Sequence, residues 1–343
     1  QHLGPEAFGT AAALNDLATL LMATNRPTEA EPLMRRALEI DETSLGPEHP
    51  SVAINLNNLA QLLQDTNRLV EAEPLMKRVV SIFETAYGPE HPDVAIPLNN
   101  LAQLLQDTNR LAEAEPLMRR ALAIDEASLG PEHPHVARDL NNLAILLQAT
   151  NRLAEAEPLM RRALAIDEAS YGPEHPDVAT DLNSLAQLLQ DTNRLAEAEP
   201  LMERVVSIFE KAYGPDHPQV AIGLNNVAAL LQATNRLAEA EPLYRRALAI
   251  NETNYGPEHH EVAKSLNNLA TVFQATNRLA ESELLMRRVV RNFCLFQART
   301  GHAHPQRETV IRNYVLLLLD MKVPEPEIIR RVEELEAEAR EAA

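Results

Sequence analysis

Apolar and polar positions follow one another along this chain with the period of a helix, in blocks that return at fixed intervals. From Val94 to about Thr108, Val94, Leu98, Leu101, Ala102, Leu104 and Leu105 recur at helical spacing, which predicts an amphipathic helix. The tripeptide TNR follows. Asn is the non-glycine residue that best tolerates a left-handed backbone, so Asn109 is the expected stop. The same reading assigns Asn25, Asn67, Asn151, Asn193, Asn235 and Asn277 as C-terminal caps. A second helix is predicted from about Ala112 to Leu129, with Ala114, Leu117, Met118, Ala121, Leu122 and Ile124 on its apolar face. Pro116 falls near the end of its first turn, where a missing N–H costs little. Glu115 stands four residues before Arg119, a favourable order for a helical ion pair. Gly130 ends this helix, Pro131 and Pro134 prevent its continuation, and Pro134 suits the first turn of the next.

The blocks repeat strictly. Gly46, Gly88, Gly130, Gly172, Gly214 and Gly256 are each 42 residues apart, and Gly4 extends the series backwards. The next glycine, Gly301, comes three residues late, an insertion within FCLFQARTGHAHP. A single helical hairpin cannot bury both its faces, so the copies must stack. The expected division is a partial lead-in over 1–9, seven helix pairs over 10–299, and a degenerate eighth pair with a charged capping helix over 300–343.

Composition narrows the picture. Aromatic residues are 3% of the chain and Trp is absent, so the core must be built from Leu, Ala, Ile, Val and Met. A formal net charge of −19 argues against nucleic acid and anionic membranes as partners. No run reaches the roughly 18 apolar residues of a membrane span. The only cysteine, Cys294, lies in the apolar stretch NFCLF and reads as a buried thiol; a reducing, cytoplasmic setting is expected. The chain starts mid-repeat at Gln1 without a basic-then-apolar leader, which suggests a piece of a longer protein.

With LNNLA, EAEPL, RRAL and GPEHP in each unit, the pattern resembles the tetratricopeptide repeat, in its 42-residue kinesin light chain form. Ala102, Ala114 and Ala121 stand at the family's close-packing sites, with Val79, Val205 and Val289 at the last of these in other copies. Leu98, Leu101 and Leu105 stand where it places large apolar residues. The resemblance implies an all-α, right-handed superhelical α-solenoid of antiparallel helix pairs, with the first helix of each pair (helix A) lining a concave groove that binds extended peptides. The inward positions it implies in one copy are Ile96, Asn99, Asn100, Gln103, Gln106 and Asp107. In kinesin light chains and their relatives, asparagines along this ladder hold a ligand's backbone.

Differences between copies fall mainly on that face. The units Leu101–Asn142 and Leu143–Ser184 differ at six places. Four lie on the inferred inner face: Gln103 to Ile145, Asp107 to Ala149, Arg138 to Thr180 and Asn142 to Ser184. The others, Leu129 to Tyr171 and His135 to Asp177, lie at the loop, and helix B is otherwise constant. This pattern suggests a ligand surface diversified on a fixed scaffold. The first asparagine of each pair forms the row Asn15, Asn57, Asn99, Asn141, Asn183, Asn225 and Asn267. Asn58, Asn100, Asn142, Asn226, Asn268 and Asn313 form the second row. Gln61, Gln103 and Gln187 follow at the variable site, and Gln64, Gln106, Gln148, Gln190, Gln232 and Gln274 form a constant row.

A carboxamide both donates and accepts, so a repeated amide can grip a backbone without reading its sequence. Specificity would then come from neighbours such as Arg138 and Lys264. Asp65, Asp107 and Asp191 favour a neutral or basic segment over an acidic one. The row lacks the Lys/Arg cluster that would hold a terminal carboxylate. The histidines of GPEHP recur once per hairpin and are too far apart to share a zinc ion, so they read as part of the helix start. No phosphate loop or nucleophile–base signature occurs. The expected function is a non-enzymatic binding module with no cofactor. The alternatives are a ligand sensor excised from a signal-transducing (STAND-type) NTPase, contacting other domains of its parent chain, and a structural scaffold.

Overall fold

A computed structural model describes residues 5–24, 26–302 and 304–343. Among these the chain forms helices and connecting turns, with no strand. The helices are α1 (Pro5–Ala23), α2 (Pro27–Leu45), α3 (Pro50–Asp65), α4 (Leu69–Tyr87), α5 (Ala95–Asp107), α6 (Leu111–Leu129), α7 (Pro134–Ala149) and α8 (Leu153–Tyr171). They continue as α9 (Pro176–Asp191), α10 (Leu195–Tyr213), α11 (Pro218–Ala233), α12 (Leu237–Tyr255), α13 (His260–Ala275), α14 (Leu279–Thr300), α15 (Arg307–Asp320) and α16 (Glu325–Glu341). A short 3₁₀ turn over Pro92–Val94 leads into α5. Odd-numbered helices are the A helices and even-numbered ones the B helices.

The chain divides into two compact units, Gln1–Ser170 and Tyr171–Ala343. In the first, each helix from α1 to α6 packs against its successor. In the second, α9 through α14 do the same, and α14 is then covered by both α15 and α16. The core consists of small and aliphatic side chains. Ala102, Ala114 and Ala121 are fully buried, which lets helix axes approach closely, and Leu98, Leu104 and Met118 fill the space between them. Leu117 and Leu122, expected on the same face, are half-buried. Cys294 is buried and unpaired, and burial pushes its thiol up.

Each helix end has a local cause. Asn67, Asn109, Asn151, Asn193, Asn235 and Asn277 all have φ between 58° and 61°. Asn109 N–H bonds Gln106 O at 2.8 Å and Arg110 N–H bonds Leu105 O at 2.8 Å, the paired reverse bonds of a Schellman ending. Asn25 lies outside the described residues, as does Gly4. At the far end of helix B, Gly130 takes φ 92° and ψ 153°, a conformation open to glycine alone. The histidine of GPEHP then caps the next A helix. The Nδ1 of His49, His91, His133, His175, His217 and His259 accepts a hydrogen bond from the backbone N–H two residues on, at 3.1–3.3 Å. The ring stacks on the tyrosine closing the preceding helix in Tyr87–His91, Tyr213–His217 and Tyr255–His259, with centroids 4.6–5.0 Å apart.

The late glycine has a simple outcome. α14 runs 22 residues where α12 runs 19, so the three extra residues lengthen a helix, which Gly301 ends at φ 73°. From the charged last helix Arg331 reaches the nearly buried Glu283 of α14 at 3.4 Å, at an oxygen that also accepts from Tyr314 OH of α15 at 2.8 Å.

Candidate protein-binding face

Within each unit the A helices present polar and aliphatic side chains that no B helix covers. In the first unit, α3 shows Ile54, Gln61 and Asp65, and α5 shows Ile96, Gln103 and Asp107. These positions lie seven and eleven residues on from the isoleucine, hence on one helix face. On α7 the same positions hold Arg138, Ile145 and Ala149. A depression of about 260 Å³ opens between α1 and α3, lined by Asn15, Asp16, Thr19, Ile54 and Asn58 with Asp41 of α2 among its walls. In the second unit a depression of about 220 Å³ opens between α13 and α15, lined by Lys264, Asn267, Asn268 and Asn313 with Phe293 of α14.

Burial splits the asparagine rows. Asn99 and Asn141 are 7% exposed, while Asn57, Asn183, Asn225 and Asn267 are half-buried. The second row, Asn58, Asn100, Asn142, Asn226 and Asn268, is half-buried throughout. Gln61, Gln103 and Gln187 are exposed, and Gln64, Gln106, Gln148, Gln190 and Gln232 are half-buried. Several amides already have partners within the chain. Gln190 Nε2 lies 3.3 Å from Met202 Sδ, and Gln232 accepts from Tyr244 OH at 3.2 Å. Lys264 is exposed and paired with Glu261 at 2.7 Å.

A position that sequence reasoning passed over decides where the first asparagine turns. It lies on helix B, with a counterpart fourteen residues later on the next helix A. Its occupants match in polarity: Asp41 with Asn55, Asp125 with Asp139 and Asn251 with Ser265, against Phe83 with Pro97 and Phe209 with Gly223. Asn55 donates to Asp41 at 2.8 Å, and Asn251 donates to Ser265 at 2.9 Å. Where the helix-A member is Asn55 or Asp139, the first asparagine of the preceding repeat turns inward to it. Asn15 bonds Asn55, and Asn99 Nδ2 donates to Asp139 Oδ1 at 2.7 Å. Forty residues after Asn57 and Asn183 stand Pro97 and Gly223, which offer no side-chain acceptor. Those two asparagines accept instead from Asn100 at 2.9 Å and Asn226 at 2.6 Å. The signal was present in the sequence as polar residues at an otherwise apolar helix-B position.

Arg138 belongs to this buried group. Its Nη2 lies 3.2 Å from Asp139 Oδ1 and 3.6 Å from Asp125 Oδ2, so its charge is partly spent on two buried carboxylates. Burial pushes the Asp139 carboxyl up to about 7; Arg138 opposes this, and the nearby Asp125 carboxylate reinforces it. Asp125 Oδ2 and Asp139 Oδ2 are buried without a hydrogen bond. His135 lies 4.0 Å from Asp125 and is lowered chiefly by its own burial.

The B helices are tied together on their outer side. Arg68, Arg110, Arg152, Arg236 and Arg278, the arginines of TNR, each bridge a glutamate of the preceding B helix and one of their own, for example Arg110 to Glu73 at 2.8 Å and to Glu113 at 2.6 Å. A second series joins Arg78, Arg120 and Arg162 to Glu42, Glu84 and Glu126 and to the carbonyls of Pro47, Pro89 and Pro131. Helix B is therefore constrained by its neighbours, which accounts for its constancy without any ligand. Among the described residues no group of three or more His, Cys, Asp or Glu could hold a metal ion, and no helix is long and apolar enough to cross a membrane.

Stacked helical hairpins of one repeating sequence define a class of α-helical interaction arrays. The tetratricopeptide repeat profile matches residues 9–85, 56–127, 93–169, 140–211, 177–253 and 219–294, and the chain belongs to that family. Its repeats are of the kinesin light chain type. A Podosopora anserina protein of that type, with nearly identical TPR-like repeats, is 28% identical over 60% of this chain and 97% of its own, with a TM-score of 0.52. BtubC from P. vanneervenii shares the fold at 22% identity over 70% of this chain and 93% of its own, with a TM-score of 0.56. Apo RapI does so at 15% identity over 82% and 97%, with a TM-score of 0.60. No curated protein sequence matches the chain.

Proposed function

We propose that the chain is a non-enzymatic interaction module that takes up an extended peptide or protein segment across its A helices, with side-chain amides gripping the segment's backbone. Repeats of this family serve protein–protein interaction or scaffolding. The observation that carries the narrower reading is the depression between successive A helices in each unit, with amides in its walls: Asn15 and Asn58 in the first unit, Asn267 and Asn268 in the second. Exposed Gln61 and Gln103 extend the amide surface across α3 and α5. Asn15 and Asn99 contribute least, because their donors are bonded to Asn55 and Asp139. Buried, unpaired Cys294 fits a reducing, cytoplasmic setting.

Photo-crosslinking tests the site. A photoreactive residue at Gln103 should capture a partner that the same residue at Arg119, on the outer side of α6, does not. Equal capture from both positions would overturn the reading.

A further inference from the structure

Charge is balanced on one side of the first unit and unbalanced on the other. On the outer side, Glu31, Glu73 and Glu115 are each held by an arginine of the next repeat. On the A-helix side, Asp65 and Asp107 are exposed, and among the described residues neither forms an ion pair. They are nonetheless fixed in place. Gln61 Nε2 donates to Asp65 at 3.0 Å, Gln103 Nε2 donates to Asp107 at 3.1 Å, and Gln64 also donates to Asp107. Both aspartates are the last residues of their helices, α3 and α5, where the helix dipole adds partial negative charge.

At the other end of the same two helix faces stand Ile54 and Ile96, 56% and 47% exposed. Gln61 and Gln103 lie between the two edges. The pattern is confined to α3 and α5. On α7 the aliphatic place is taken by Arg138, which is engaged with Asp125 and Asp139, and the acidic place by Ala149.

From this two-edged face we infer that the occupant of the α3–α5 surface is a basic, amphipathic segment, with aliphatic side chains along one edge and Lys or Arg along the other. The inference rests on the reading of the A-helix face as the binding surface and adds the chemistry of what it takes. Aliphatic side chains of the segment cover Ile54 and Ile96 and remove their surface from water. Its cations meet two pre-positioned carboxylates that have no internal counterion, so no existing ion pair has to be broken. An acidic segment would bring like charge against the same two groups at no compensating contact.

The test uses the full chain and a short labelled peptide of alternating leucine and lysine, which in extended form carries all its leucines on one side. Twin peptides replace lysine by glutamate or by serine. The expected result is binding of the leucine–lysine peptide, weakened roughly threefold to tenfold by Asp65→Asn with Asp107→Asn, the worth of two exposed ion pairs. Glu90→Gln with Glu132→Gln, which removes the same charge from exposed loops, should leave it unchanged. Equal binding of the glutamate peptide, or equal loss in the loop variant, overturns the inference. Binding of the leucine–serine peptide as tightly as the lysine one, lost on Ile54→Ser with Ile96→Ser, overturns the charge preference and leaves the binding face standing. Binding of the leucine–lysine peptide that ignores all four A-helix changes overturns both, and no binding of it at all overturns the inference.

Discussion

Asn99 and Asp139 stand forty residues apart and are joined at 2.7 Å, from the Nδ2 of one A helix to the Oδ1 of the next. The bond is buried, and it turns toward the packing an amide that the repeat pattern alone would leave facing a ligand. Removing it leaves Asp139 without one of its donors in a place water does not reach. Asn99→Ala is therefore expected to cost about 1–3 kcal/mol of stability, read as a lower urea midpoint. The exposed Gln103→Ala should change stability by no more than about 0.5 kcal/mol. Equal midpoints for the two variants would contradict this assignment.

The burial of Asp139 makes the first unit sensitive to pH. Asp139 is raised from an ordinary 3.8 to about 7 by burial, so the folded protein holds a proton that the unfolded chain releases. Its contribution to stability is full below pH 3.8 and is lost as pH rises through 7. Asp139→Asn, which keeps an acceptor for Asn99, should abolish that slope and raise the melting temperature above pH 7 relative to the parent. Identical pH profiles for parent and variant would refute the linkage.

The opposite sign is expected at the start of α13. His259 caps that helix through an unprotonated Nδ1, and burial lowers its pKa from 6.5. Stability from this cap is present above 6.5 and is lost as pH falls through the lowered folded value. His259→Asn keeps a side-chain acceptor and should flatten the acid limb of the stability profile. His259→Ala should cost about 0.5–1 kcal/mol at neutral pH. An acid limb unchanged in His259→Asn would place the proton elsewhere.

Arg110 bridges Glu73 and Glu113, and its loss should loosen the stacking of neighbouring pairs. Glu73 is held below the usual carboxylate range by hydrogen bonds from Lys77 and Arg110. Arg110→Ala is expected to lower the melting temperature at low salt, with the difference from the parent shrinking in high salt as screening removes the attraction. A difference independent of salt would assign Arg110 a packing role instead.

Cys294 offers a simple probe of the second unit. The thiol is buried and its pKa is raised by that burial, so its thiolate is scarce and screened. Reaction with a disulfide reagent should be slow in the native protein and fast in urea. Rapid native labelling would show that α14 opens readily.

Much of the fold was legible because short-range rules wrote it. The apolar spacing of Val94 to Leu105 placed helix A, and Asn109 with φ 58° and Gly130 with φ 92° ended the two helices as their backbone freedom requires. The binding-face residues were legible only in part. Gln61 and Gln103 lie exposed, but Asn99 is drawn toward Asp139, because repeats forty residues apart meet in space, and Arg138 is held by that aspartate and by Asp125. The arginines of TNR join successive B helices, a role that depends on the same contact between repeats.

The sequence by itself determined the helices, their ends and the repeat, since each depends on residues within a turn or two of one another. Tertiary structure alone decided which amides and charges remain free for a partner. Asn15, Asn57, Asn99 and Asn183 find their partners in the neighbouring repeat, and that neighbour is defined by packing, not by adjacency along the chain. Asp139 draws Asn99 in, whereas Pro97 offers no side-chain acceptor and Asn57 pairs with Asn100 instead.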